Sequence, residues 1–135
     1  MRRFTTVLTV LLGVFPLTFG TQFLVAGHTA APTFGIAEWP TGVAAGYFAV
    51  KGIRDIVLGL NLLTLFALRQ RRATGVLMAI SALIPITDMI TVFTHGGPAA
   101  TALGVHGLTA LVMLFDAFLL IRERQSAEVL EPVHS

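Results

Sequence analysis

The sequence predicts an all-α fold, a four-helix transmembrane bundle with antiparallel, up-down-up-down topology. Of its 135 residues, 55% are hydrophobic and only 12% are charged, whereas average soluble domains contain about 25% charged residues. The mean hydropathy of +0.83 indicates more apolar surface than so short a chain could bury in the core of a soluble domain. Most of the residues fall in four long apolar segments. The absence of cysteine excludes disulfides, iron–sulfur ligation and thiol catalysis.

Each apolar segment is long enough to cross a bilayer. The four predicted helices are residues 4–27, 43–68, 73–95 and 100–121. About 20 residues at 1.5 Å each span the ~30 Å hydrocarbon core, and lipid leaves non-helical backbone without hydrogen-bond partners. Because the connections are short, successive helices should be antiparallel neighbours. We expect one membrane domain over residues 1–124 and a polar cytoplasmic tail over residues 125–135.

The basic residues predict the orientation. Seven of the nine lie at one predicted end of the bundle: Arg2, Arg3, Arg69, Arg71, Arg72, Arg122 and Arg124. The positive-inside rule then predicts a multi-pass protein of the cell membrane with both termini cytoplasmic. The net charge of +2 reflects this topology, so nucleic acid is not an expected partner. A competing interpretation is a secretory signal peptide, with small residues at 27–31 as its cleavage region, which would leave three helices.

Six ionisable residues fall away from the ends of the predicted helices, where the sequence should be apolar: Lys51, Arg54, Asp55, Asp88, His106 and Asp116. Each costs at least ~2.5–3.5 kcal/mol at a helix centre, so each needs a partner or a function. Lys51 and Asp55 have the i,i+4 spacing of an ion pair, and Tyr47 and Arg54 share the face of Lys51. On the second helix Gly52 and Gly59 form a stripe that favours close approach of another helix.

The third and fourth helices carry further local signals. Ser81, Asp88 and His95 are seven residues apart and form one polar stripe. Pro85 removes a hydrogen bond from the Ser81 carbonyl and predicts a kink. On the fourth helix His106 lies beside two glycines, which leave room around the imidazole.

Polar groups of four helices converge on one level. Gln22, Lys51, Asp88 and His106 all lie within roughly 8–12 Å of the non-cytoplasmic boundary at 1.5 Å per residue. We expect one cavity to be lined by Lys51, Arg54, Asp55, Asp88 and His106. Asp116 lies near the cytoplasmic end and is expected to pair with Arg69, Arg71, Arg72 or Asn61.

These residues lead to the hypothesis that the chain binds or converts a lipophilic small molecule. The expected ligand-binding residues are Gln22, Tyr47, Lys51, Arg54 and Asp55, and Asp88 and His106 are expected to transfer a proton. Whether the protein is an enzyme stays open. The alternatives are a scaffold, homo-oligomer or subunit of a membrane complex, and a proton or ion path. No metal and no cofactor is predicted, because two cations accompany the single buried histidine and its carboxylates.

Three short motifs carry a family resemblance: Val50–Asp55 (VKGIRD), Leu83–Asp88 (LIPITD) and His106-Gly107. With them the chain resembles domain of unknown function family 4267, small four-helix membrane proteins related to the wider DoxX-like set. The resemblance runs from the first helix to Ile121. It implies a four-helix membrane bundle of unassigned activity. Some DoxX-like relatives are subunits of membrane oxidoreductases that work with quinones, so partner proteins are also implied.

Overall fold

A computed structural model describes residues 2–36 and 38–128, with side chains to Glu123, and all regular secondary structure in these residues is helical. Its helices are α1 Arg2–Ala30, α2 Tyr47–Ala67, α3 Arg71–Ser81, α4 Leu83–Thr94, α5 Ala99–Thr101 and α6 Leu108–Glu128. Two 3₁₀ turns, Ala31–Phe34 and Gly42–Gly46, lie between α1 and α2. The predicted all-α bundle is confirmed. Residues 125–128 of the predicted tail belong to α6, and residues 129–135 lie outside the described residues.

The third predicted helix is divided at Ala82 into α3 and α4. Pro85 has no N–H, so the Ser81 carbonyl cannot receive its usual helical hydrogen bond. Regular helical hydrogen bonding resumes at the next residue, where the Ile86 N–H donates to the Ala82 carbonyl at 3.2 Å. The helix is therefore interrupted one turn before Pro85, at the place where the sequence predicted a kink, and the interruption separates Ser81 at the end of α3 from Asp88 in α4.

The fourth predicted helix contains a π turn, Ala102–Gly107, between α5 and α6. A π turn accommodates one more residue per turn than an α-helix and rotates the side chains that follow it. His106 lies within this turn. The apolar segment 100–121 predicted a regular helix here, so the direction of the imidazole could not be obtained from helical periodicity.

Helices α1 and α2 pack through glycines in antiparallel register. A Cβ atom on Gly52 would lie 2.7 Å from the Gly20 carbonyl oxygen, and one on Gly59 would lie 2.5 Å from the Gly13 carbonyl oxygen. Neither distance is compatible with a side chain, so the two backbones touch. The predicted close approach at Gly52 and Gly59 is confirmed, and its partner is α1.

Within the described part of the chain, three segments are long and apolar enough to cross a membrane: Arg2–Phe34, Arg71–Thr94 and Ala99–Glu123. They indicate a membrane protein. Helix α2 has 21 residues, also enough for a span, and its outer face exposes Ile53, Val57 and Leu60. These apolar side chains support the prediction that α2 is a fourth span. Several of the basic residues meet at one end of the bundle, as expected, and which side of the membrane this end faces stays a prediction.

Candidate functional site

Lys51 and Asp55 form the ion pair that their spacing predicts. The Lys51 Nζ atom lies 3.1 Å from Asp55 Oδ2, within hydrogen-bond distance. The two side chains are 27% and 13% exposed, respectively. Pairing along one helix is the least costly way to hold two charges in apolar surroundings. The pair therefore fixes the ammonium group on the inner face of α2.

Three aromatic rings surround the same ammonium group. Lys51 Nζ lies 5.5 Å from the ring centre of Phe19, 5.2 Å from that of Phe23 and 5.3 Å from that of Phe34. An ammonium group within about 6 Å of a ring centre is attracted by the negative face of the ring. This cage of three rings was not predicted from the sequence. The signal was present in α1, where aromatic residues recur at i, i+4 as Phe15, Phe19 and Phe23.

His106 is held by the backbone of the first 3₁₀ turn. Its Nε2 atom lies 2.8 Å from the Phe34 carbonyl oxygen, and its ring is 4.8 Å from the Phe34 ring. A carbonyl oxygen only accepts hydrogen bonds, so Nε2 must carry the proton and donate. In the neutral form of this imidazole, Nδ1 is then the unprotonated nitrogen.

The free nitrogen of His106 faces Asp88. His106 Nδ1 lies 3.9 Å from Asp88 Oδ2, and the two side chains are 7% and 25% exposed. This distance is too long for a direct hydrogen bond and leaves an oxygen atom room to approach both groups. The imidazole of His106 and the carboxylate of Asp88 thus face each other across a short gap.

These four polar side chains line one cavity of about 80 Å³ between the α1–α2 pair and α4–α6. Apart from Lys51, Asp55, Asp88 and His106, its lining is apolar except for Thr109: Leu12, Phe15, Pro16, Phe19, Leu58, Leu62, Ile84, Pro85, Val105 and Met113. Phe15 and Val105 at its rim are about half exposed, at 51% and 43%. The cavity thus has a polar interior end and an apolar rim on the outer, lipid-contacting surface.

A second depression of about 420 Å³ adjoins the same polar group. It shares Lys51, Asp55, Asp88 and Ile84 with the first cavity. Its other lining residues lie near the loop end of the bundle: Phe23, Trp39, Pro40, Tyr47, Phe48, Val50 and Arg54. The polar group is accordingly reached from two directions, from the lipid-facing side and from the loop end.

The structure brings together most, but not all, of the predicted site residues. Arg54 and Tyr47 line the loop-end depression and not the smaller cavity. The prediction that Arg54 lines the same cavity as the other four ionisable residues is therefore corrected. On α2, Arg54 lies about 60° to one side of Lys51 and Asp55 lies about 40° to the other. Gln22 is exposed and lines neither depression. It lies about 200° around α1 from Gly20, the residue that touches α2.

Every residue that lines the smaller cavity, except Leu12, lies in the region of the chain that matches one protein-family model. The family model described as Domain of unknown function (DUF4267) matches residues 13–120. The chain belongs to the DUF4267 family. No curated protein and no solved structure matches the chain.

In this DUF4267 chain the motifs that carried the resemblance meet at the cavity. VKGIRD supplies Lys51 and Asp55 on α2, LIPITD supplies Asp88 on α4, and His106-Gly107 lies in the π turn. The wider DoxX-like relationship stays a prediction, because the match is to DUF4267 alone. The same holds for the oxidoreductase partners that the resemblance implied.

Asp116 has a different partner from the one predicted. Its side chain is fully buried, and its Oδ2 atom lies 2.7 Å from Thr9 Oγ1 on α1. The predicted pairing with a basic residue or Asn61 is wrong. Arg71 pairs instead with Glu123 at 2.9 Å and also donates to Thr5. The rotation of α1 about its axis sets these contacts, and composition gave no signal for it.

The contacts of Thr9 constrain the proton of Asp116. Thr9 Oγ1 lies 2.7 Å from the Thr5 carbonyl oxygen as well as 2.7 Å from Asp116 Oδ2. One hydroxyl has one hydrogen to donate, and a carbonyl oxygen can only accept. Both contacts are hydrogen bonds at once when Asp116 carries a proton and donates it to Thr9. A neutral carboxyl group also suits a fully buried position among apolar helices.

Substitution of Asp116 by asparagine should therefore leave stability nearly unchanged. The amide N–H₂ of asparagine can donate to Thr9 as the protonated carboxyl does. Thr9→Val, which removes the hydroxyl, should lower the free energy of unfolding by about 1 kcal/mol, the scale of interhelical hydrogen bonds in membranes. Unfolding of both variants in detergent by titration with sodium dodecyl sulfate measures this. A larger loss in Asp116→Asn than in Thr9→Val would show that the carboxyl is ionised.

Proposed function

We propose that the chain binds a lipophilic small molecule, with the molecule's hydroxyl or carbonyl group among Lys51, Asp88 and His106. The observation that carries this proposal is the 3.9 Å gap between His106 Nδ1 and Asp88 Oδ2 at the polar end of an otherwise apolar cavity. Intramembrane ionisable groups are costly, and interhelical hydrogen bonds return only ~0.6 kcal/mol on average. Stabilisation of the bundle alone is thus a weak reason for this cluster.

The size of the cavity limits what enters it. About 80 Å³ accommodates about half a dozen water-sized groups, at roughly 10–15 Å³ each. That is room for a polar head group and little more. The rest of the ligand would extend past Phe15 and Val105 into the lipid. A molecule with a small oxygen-bearing head and a hydrocarbon body fits both parts of this surface.

The positions of the donors and acceptors suit acid–base chemistry on such a head group. The unprotonated Nδ1 of His106 can accept a proton from a ligand hydroxyl, forming an imidazolium beside the Asp88 carboxylate. The ammonium of Lys51 can donate a hydrogen bond to the oxygen that becomes negative. The contact with the Phe34 carbonyl supports a proton on Nε2, and in dry surroundings such charge stabilisation is strong.

The proton-path alternative receives less support from the packing. The floor of the cavity contains Leu62 and Met113, which belong to a buried apolar cluster with Met78, Ala82 and Ala117. Asp116 lies beyond this floor and does not line the cavity. A continuous path from Asp88 and His106 to Asp116 would have to cross that apolar layer.

His106→Gln is the sharpest test of the proposal. Glutamine can keep the donated hydrogen bond to the Phe34 carbonyl, but its amide oxygen is not a base, so the fold should persist while the proton-accepting Nδ1 is lost. We expect small molecules that copurify with the wild type, measured by mass spectrometry of solvent extracts, to fall about tenfold in His106→Gln and in Asp88→Asn, which corresponds to about 1.4 kcal/mol.

Gln22→Ala is the matched control, because Gln22 is exposed and lines neither depression. Its extract should equal that of the wild type. Identical extracts from all four folded proteins would contradict the proposal and favour the scaffold or subunit alternative.

A further inference from the structure

Four arginines meet in a crevice at the basic end of the bundle. Arg2 and Arg3 from α1 and Arg69 and Arg71 from the α2–α3 turn line a depression of about 670 Å³, together with apolar residues that include Val7 and Phe66. The crevice is far from the cavity of the proposed function and shares no lining residue with it.

The positive charge of this arginine crevice is only partly neutralised. Arg71 pairs with Glu123 and stacks on the Phe66 ring at 5.0 Å. Over the described residues, the ion pairs include none with Arg2, Arg3 or Arg69, and these three side chains are exposed. Three positive charges in one concave surface attract an anion more strongly than isolated surface arginines do.

Arg69 occupies a backbone conformation that favours glycine. Its φ is 59°, and within the described residues it is the one non-glycine with positive φ. In the left-handed conformation the Cβ atom of an ordinary residue lies too close to the following carbonyl oxygen, so the conformation is strained. The neighbouring hydrogen bonds, from Arg69 N–H to the Phe66 carbonyl and from Gln70 N–H to the Leu65 carbonyl, close the end of α2. The turn thus places an arginine at the crevice where a glycine would be less strained.

The remaining surroundings suit a phosphate that belongs to a lipid. Helix α3 begins at Arg71, and its first turn has no side-chain cap, so the positive end of the helix dipole lies at the crevice. Val7 is 60% exposed, and with Phe66 it forms an apolar wall directly beside the arginines. A soluble phosphate would leave that wall unused, whereas acyl chains would cover it.

We propose that this crevice binds the phosphate head group of an anionic phospholipid, with its acyl chains along α1 and α2. The proposal is independent of the proposed ligand in the cavity. Guanidinium groups bind phosphate oxygens through paired hydrogen bonds, and basic crevices between membrane helices bind anionic lipids at the cytoplasmic surface. The predicted orientation places the crevice at that surface.

Arg69→Gly separates lipid binding from folding, because it removes one charge and also relieves the backbone strain. Native mass spectrometry of the detergent-solubilised protein with added phosphatidylglycerol should show about fivefold weaker binding, since one arginine near a membrane contributes about 1 kcal/mol. Removing two, in Arg2→Gln/Arg3→Gln, should weaken it about 30-fold by the same scale. The unfolding midpoint of Arg69→Gly should match or exceed that of the wild type.

Arg72→Gln is the matched control, since Arg72 is an exposed arginine of the same turn that lines a different surface. Its phosphatidylglycerol binding should stay at the wild-type level. Equal losses in Arg72→Gln and Arg69→Gly, or equal binding of phosphatidylcholine and phosphatidylglycerol, would overturn the proposal. Displacement of the lipid by glycerol phosphate at comparable concentration would also overturn it, because the crevice would then recognise a soluble phosphate.

Discussion

Gly52→Ala is expected to lower the free energy of unfolding by about 2–3 kcal/mol, the upper part of the range for overpacked contacts. The added Cβ would lie 2.7 Å from the Gly20 carbonyl oxygen and 2.8 Å from Leu24 Cγ. The Leu24 side chain can rotate away, but the backbone of α1 can yield only by moving the whole helix. Because the α1–α2 contact positions both Phe19 and Lys51, the variant should also fail to bind the small molecule that we propose for the wild-type cavity.

Gly46→Ala is the matched control, because a Cβ on Gly46 would meet nothing within 4 Å. This substitution should be neutral or stabilise slightly. Sodium dodecyl sulfate titration of the detergent-solubilised proteins, followed by circular dichroism, measures both variants on one scale. Equal stability of the two variants would mean that α1 and α2 do not pack through their glycines.

Local spacing accounts for what the sequence could predict. The Lys51–Asp55 pair, the Gly52 and Gly59 stripe and the break before Pro85 all arise within one helix, where 100° per residue fixes the geometry. The short connections between successive helices then predict that these helices pack antiparallel. Depth along the helices placed Gln22, Lys51, Asp88 and His106 at one level, and the structure brings Lys51, Asp55, Asp88 and His106 to one cavity.

The remaining site features depend on relations between segments that periodicity does not fix. The Phe34 carbonyl that holds His106 lies in the loop after α1, 72 residues away in sequence. The π turn changes the direction of His106 itself. Gln22 was placed by depth alone, and the rotation of α1 that brings Gly20 against α2 turns Gln22 outward. Depth along a helix is readable from sequence, whereas helix rotation depends on packing of the whole bundle.

Lys51→Met should be among the most destabilising single changes in the chain. It leaves the Asp55 carboxylate in apolar surroundings without the ammonium that lies 3.1 Å from it. Breaking a fully buried ion pair from one side costs about 3–5 kcal/mol. The two side chains are 27% and 13% exposed, so a smaller loss of about 2–3 kcal/mol is expected here. The same detergent unfolding titration measures it.

The double variant Lys51→Met/Asp55→Leu separates the structural role of the pair from its role in binding. With both charges gone, apolar packing can replace the ion pair, and stability should recover to within about 1 kcal/mol of the wild type. Ligand retention should not recover, because the head group then lacks the Lys51 donor. A stable double variant whose solvent extract equals that of the wild type would show that the pair serves the bundle only. Recovery of stability together with loss of the extracted molecule is the result that the proposed function requires, and neither single variant can give it.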